Sequence, residues 1–308
     1  MKKLLLITTL ALVLVLAVVG MASANGGPHG GYTATTDACA GCHRAHTATG
    51  PKLLIETSTY ALCISCHGNA GSGANTNVED GYYLASRDDA AANGNVGAAN
   101  TPDNSALLGG GFVNYGGNAV TSSHDPSGAT DLAWGNGVAR GSTAALAAGN
   151  LTCASCHDPH GSANYRIIKA TVNGNAVAVA QVDEGAAKDY DTEQWGTGQS
   201  NVCAACHDDY HKTAVGQGSI LDGASYTHRI DMGYSYGGNN NPETVGMGGY
   251  TLPLAETGTN NTVACQTCHL PHGTASTMAG FASGAGPAAD SALLRLDNRG
   301  VCEVCHQK

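Results

Sequence analysis

The chain has 308 residues, of which 43 are glycine, 2 are Phe and 2 are Trp, so side-chain burial alone cannot supply an ordinary hydrophobic core. A formal charge of −10, with only 12% of residues charged, argues against nucleic acid and anionic lipid as partners.

The chain opens MKKLLLITTLALVLVLAVVGMASA. Two lysines, a largely apolar run from Leu4 to Val19 and an Ala22-Ser23-Ala24 cleavage signature predict a secretory signal peptide over residues 1–24. A retained anchor is the alternative for a run this long. The cleavage signature and the glycine-rich sequence behind it favour removal, and no later segment is apolar enough to span a bilayer. The expected product, 25–308, is exported as a single domain with no retained membrane span. Its expected location is the extracellular space or the cell surface, with the periplasm as the alternative.

Three segments follow. Residues 25–68 contain CAGCHRAH and, shortly after it, CISCH. Residues 69–150 have no cysteine and are rich in Gly, Asn and Ala, which predicts ordered loops. Tyr82, Tyr83, Phe112, Tyr115 and Trp134 give those loops something to bury, against the alternative of disorder. Residues 151–308 hold four more CxxCH units. RIIKATVNGNAVAVAQV, residues 166–182, has two alternating β-branched runs about Asn173-Gly174 and predicts a hairpin. Short helices are expected at the CxxCH units and over 289–296.

The six CxxCH units are Cys39, Cys42 and His43; Cys63, Cys66 and His67; Cys153, Cys156 and His157; Cys203, Cys206 and His207; Cys265, Cys268 and His269; Cys302, Cys305 and His306. Together they use all 12 cysteines. CxxCH is the attachment signature of c-type haem: two thiols add across the vinyl groups and the adjoining imidazole binds iron from one face. Zinc ribbons, thioredoxin-like pairs and disulfides also use paired cysteines. None of these requires a histidine after every pair, and six such histidines by chance come to roughly one in 10⁸ at the frequency of this chain. Six covalently attached haem c groups are therefore expected, as rigid apolar plates that replace the missing core. The fold class that follows is mostly irregular coil with short helices and a minor β-hairpin, wrapped around a chain of six c-type haems.

Seven histidines remain: His29, His46, His124, His160, His211, His228 and His272. Six irons need six distal ligands, so bis-histidine ligation throughout leaves one spare, with His29 and His211 the candidates. Met232, Met247 or Met278 could replace one of them. His160 and His272, in the near-copies CHDPHG and CHLPHG, lie three residues after a proximal histidine, as does His46; His211 lies four after. A histidine at that offset cannot reach the far face of its own haem. It can reach a neighbouring one, which draws two macrocycles together. His124 and His228 lie in loops far from any CxxCH, where long-range ligands are expected.

The functional expectation is electron transfer rather than catalysis, with no catalytic residue. A multihaem oxidoreductase needs an iron with an exchangeable position and often a CxxCK variant, which this chain lacks. A soluble periplasmic shuttle is the other alternative.

The stretch HGGYTATTDACAGCHRAHTATGPKLL, with LCISCHG close behind, resembles the N-terminal part of extracellular multihaem cytochrome nanowires. The shared motif is CxxCHxxH followed closely by a second CxxCH, over about residues 28–68. The resemblance implies a head-to-tail homopolymer with stacked haems, in which His46 ligates a haem of the next subunit. It also implies other redox proteins or extracellular acceptors as electron partners.

Overall fold

The computed structural model of the chain describes residues 29, 37–69, 74, 76–83, 107–130, 133–134, 143–144, 150–181, 195–207, 210–211, 228–234, 252–256, 262–279, 291–298 and 300–306. The leader expected over 1–24 lies outside the described residues. What is described is mostly coil, as expected, with short helices and two-residue strands.

The helices follow the cysteines. They are α1 (Asp37–Ala40), α2 (Thr59–His67), α3 (Cys153–Cys156), α4 (Gln199–Ala204), α5 (Cys265–Cys268) and α6 (Gly300–Glu303). At α3 and α5 the third residue closes the first turn: Ser155 Oγ accepts from the Thr152 N–H at 3.0 Å, and Thr267 Oγ1 from the Ala264 N–H at 3.0 Å. Both helices end at the histidine, which turns to extended backbone (His157 φ −104°, His269 φ −116°). At α2 the Ser58 side chain caps the Ala61 N–H.

The expected hairpin is present. β8 (Thr171–Val172) pairs antiparallel with β9 (Asn175–Ala176) across Asn173 and Gly174, both at positive φ (46° and 81°). That is the two-residue turn that Asn-Gly favours. The helix expected over 289–296 is not formed where it is described. Residues 291–298 are turn and bend, Ala292 and Leu293 are left-handed, and Leu294 bridges to His269. Helix propensity yields there to a backbone connection that the histidine requires.

Apolar packing is divided into small clusters. Tyr165, Ile168, Val172, Val177, Val179 and Ala205 form one behind the hairpin. Trp195, Ala255 and Ala264 form another, and Leu252, Val301 and Val304 a third, packed against Cys268 and Cys305. From the loop segment, β5 (Ser122–Ser123) pairs with β14 (Gly273–Thr274) just after His272, which ties that segment to the third one. Tyr82 is buried, and Phe112 packs on the His272 ring with centroids 4.6 Å apart.

Two glycines at positive φ separate backbone strain from crowding. Gly174 (φ 81°) has open space where a Cβ would stand, whereas a Cβ on Gly110 (φ 79°) would collide with the Gly273 carbonyl. Gly174→Ala should therefore cost about 1 kcal/mol, the left-handed penalty alone. Gly110→Ala should cost about 3 kcal/mol, because overpacking is added to that penalty. Thermal unfolding of the two purified variants beside the parent measures both.

Candidate metal centres

Three of the CxxCH units share one backbone framework. After His43, His157 and His269 the chain loops out and returns through two consecutive left-handed residues: Lys52-Leu53, Arg166-Ile167 and Ala292-Leu293. These present a carbonyl to the histidine Nδ1, which donates to Lys52 O at 2.9 Å, Arg166 O at 3.0 Å and Ala292 O at 2.8 Å. The next residue then bridges back to the histidine, as Leu54, Ile168 and Leu294 respectively. Left-handed backbone at a non-glycine residue costs of order 1–2 kcal/mol. Six such residues in three matching pairs mark a required geometry.

Fixing Nδ1 fixes the tautomer and leaves Nε2 as the free basic nitrogen. Other histidines are held in the same way. His29 Nδ1 donates to Pro159 O at 2.9 Å, His124 Nδ1 to Pro271 O at 2.6 Å and His228 Nδ1 to Arg229 O at 2.7 Å. His67 Nδ1 bonds Thr76 Oγ1 at 2.8 Å. Burial pushes His124, His157 and His269 below the usual imidazole range, and His272 down to about 3. These rings are held neutral, the form that binds a metal.

The imidazoles meet in pairs. Centroids are 6.1 Å apart for His29 and His67, 6.2 Å for His43 and His160, and 6.2 Å for His124 and His207. They are 6.4 Å apart for His157 and His272 and 6.2 Å for His228 and His306. A metal–imidazole bond of about 2.0 Å, plus about 1.1 Å from nitrogen to ring centre on each side, places two rings trans on one metal about 6.2 Å apart. Each pair joins one CxxCH histidine to one of the spare histidines, so the residues fit a haem iron gripped on both faces.

Three histidines stand outside these pairs. Among the described residues no imidazole faces His269. His46 is exposed. His211 commits its Nε2 to Asp231 Oδ2 at 2.7 Å, so the nitrogen that would bind metal is already engaged. Of the two candidates for the surplus ligand, His211 is the one not paired; His29 faces His67.

The pairs follow a rule. The chain divides into three modules, each with four histidines in order: His29, His43, His46 and His67; His124, His157, His160 and His207; His228, His269, His272 and His306. Within every module the first histidine faces the fourth. Between modules the second faces the third of the following module: His43 with His160, and His157 with His272. A second link runs in the same direction. His29 donates to Pro159 and His124 to Pro271, each time to the residue before the third histidine of the following module. The rule leaves His269 at one end and His46 at the other.

The cysteines place the units in sequence order. Cys42 is pushed up by burial and then by Cys66 and Cys63. The Cys63 and Cys153 thiols influence one another where α2 packs on α3, and those of Cys203 and Cys265 where α4 packs on α5. Burial and then Cys206 push Cys156 up to about 11; burial and then Cys305 push Cys268 up to about 12. Each unit thus adjoins the next. None of the twelve is joined to another in a disulfide, as thioether formation at each requires.

The motif spacing was legible in the sequence; the carbonyl acceptors were not. Their only trace is a short recurrence, Lys-Leu-Leu at 52–54, Arg-Ile-Ile at 166–168 and Ala-Leu-Leu at 292–294.

Among known families, the doubled CXXCH motif matches residues 32–72 and 144–175. Such paired motifs indicate covalently bound c-type haem. No curated protein sequence matches the chain. Among solved structures, OmcS nanowires from Geobacter sulfurreducens, determined by cryo-EM, are similar at 16% identity and a TM-score of 0.43, over 88% of this chain and 98% of that one.

Single substitutions to alanine at His29, His124, His160, His228 or His272 should each convert one haem of six to a high-spin spectrum, and His211→Ala none. High-spin charge-transfer absorption per chain measures this. A high-spin haem beyond any in the parent for His211→Ala, or no increase over the parent in the other five, contradicts the pairing.

Proposed function

We propose that this chain is an exported six-haem cytochrome that conducts electrons and assembles head to tail into a filament. The observation that carries the reading is the open pair of ends, His269 at one and His46 at the other. If the pairing rule continues into a second copy, His46 of the following chain becomes the distal ligand opposite His269. The second link continues with it, since His228 stands where His29 and His124 stand and would turn from Arg229 to the Ala45 carbonyl of that copy. Both links run in one direction. Such a contact is heterologous and propagates when the rotation between copies does not close.

Haem, when bound at the six CxxCH units, supplies a one-electron couple. The residues of the chain keep each couple in one ligand state. In each of the five pairs one ring is oriented by an Nδ1–carbonyl bond, and imidazoles on both faces would leave no exchangeable position there, which supports conduction over substrate chemistry. The consecutive cysteine contacts support an unbranched path: an electron leaving one site reduces the next, with an external redox protein as donor and an extracellular acceptor at the end. The leader expected at the N-terminus and the resemblance of residues 28–68 to extracellular nanowires support export beyond the cell. The dispersed periplasmic shuttle would need the sixth distal ligand from within its own chain.

His46→Ala tests the reading. Electron micrographs of the secreted variant should show dispersed particles or filaments shortened at least tenfold, and each chain should carry one haem with an altered ligand. Full-length filaments from this variant would refute it.

A further inference from the structure

In the three shared frameworks the returning chain also binds the second cysteine of its own unit. Ile55 N–H donates to Cys42 O at 3.0 Å, Lys169 N–H to Cys156 O at 2.8 Å and Arg295 N–H to Cys268 O at 2.9 Å. One position is therefore held in register against three equivalent sites, and its side chain differs at each. Ile55 is apolar. Lys169 is half-buried and donates Nζ–H to Ala154 O at 3.2 Å. Arg295 donates Nε–H to Gln266 O and an Nη2–H to Leu108 O, both at 2.8 Å, and its guanidinium lies 5.9 Å from the centre of the Trp195 ring. Ala154 and Gln266 occupy the same place in their motifs, the residue after the first cysteine.

Arg295 has no carboxylate partner among the described residues. Its polar contacts are two carbonyls, and the nearby Tyr115 phenol is held neutral, pushed above its ordinary range by burial. Burial lowers the guanidinium to about 10, which still leaves it fully charged at neutral pH. Charges also lie near the first unit, but Arg44 and Lys52 are exposed and screened by solvent. A desolvated charge keeps its field.

We propose that Arg295 is a potential-setting residue, a fixed half-buried cation that holds the haem at Cys265–His269 at a higher reduction potential than its counterpart at Cys39–His43. Reduction adds one negative charge to the centre, so a neighbouring positive charge favours the reduced state. The junction site would then be a place where an electron rests between copies. The proposal depends on haem at this CxxCH unit and not on assembly.

The test is a redox titration of purified, haem-loaded protein followed in the haem absorption bands, with mass spectrometry confirming the haem count of each variant. In Arg295→Met one-sixth of the amplitude should move to lower potential by a tenfold change in its oxidised-to-reduced ratio, about 59 mV for a one-electron couple. Arg295→Lys should stay close to the parent. In Ile55→Lys, which places a cation at the equivalent position, one-sixth should move to higher potential. That variant also decides the matter if Arg295→Met fails to fold. A titration of fully loaded Arg295→Met that overlays the parent overturns the proposal, as does an Arg295→Lys shift as large as that of Met, or no shift in Ile55→Lys. A mass lacking haem at Cys265 and Cys268 instead removes the haem assignment beneath it.

Discussion

Two imidazoles held about 6 Å apart, the spacing that would fit one metal between them, is the constraint on which the rest of this structure depends. It recurs five times, and each time it joins histidines far apart in sequence. A chain with so few large apolar side chains cannot offset its ordering entropy through packing alone, and its clusters are accordingly small and separate. On the proposed reading, metal coordination and covalent attachment of haem would take over the task of joining distant segments.

The same constraint accounts for the backbone. Left-handed pairs at Lys52-Leu53, Arg166-Ile167 and Ala292-Leu293 are unfavourable in isolation, yet each supplies the carbonyl that orients a CxxCH histidine. Repetition of this device in three modules, with histidines passed forward from one module to the next, would on the proposed reading make the chain a short segment of an extendable array. In such an array the contact between copies is the same contact that operates inside each copy. A filament of this kind needs no large interface of its own.

Much of the site was legible in the sequence because covalent chemistry fixes spacing. CxxCH can be read from residue types alone, and so can a count of seven histidines for six distal positions. The loops around it were less legible. The Asn173-Gly174 hairpin was visible since its turn demands those residue types, whereas residues 289–296 read as helical until the need for the Ala292 carbonyl at His269 is known. Which spare histidine stands outside the pairs could not be decided by spacing. His211 lies four residues after His207, much as His160 lies three after His157, and only the long-range contact with Asp231 separates them. Likewise Arg295 reads as an ordinary surface residue until its backbone is seen tied to Cys268.

In the proposed filament six haem irons would be gripped, five within one chain and the sixth between two. Near-infrared magnetic circular dichroism counts bis-histidine haems per chain and can be applied both to the dispersed protein and to its assembled form. The account predicts five of six in the dispersed chain and six of six after assembly. Six of six in the dispersed chain, or the same count in both states, would contradict it.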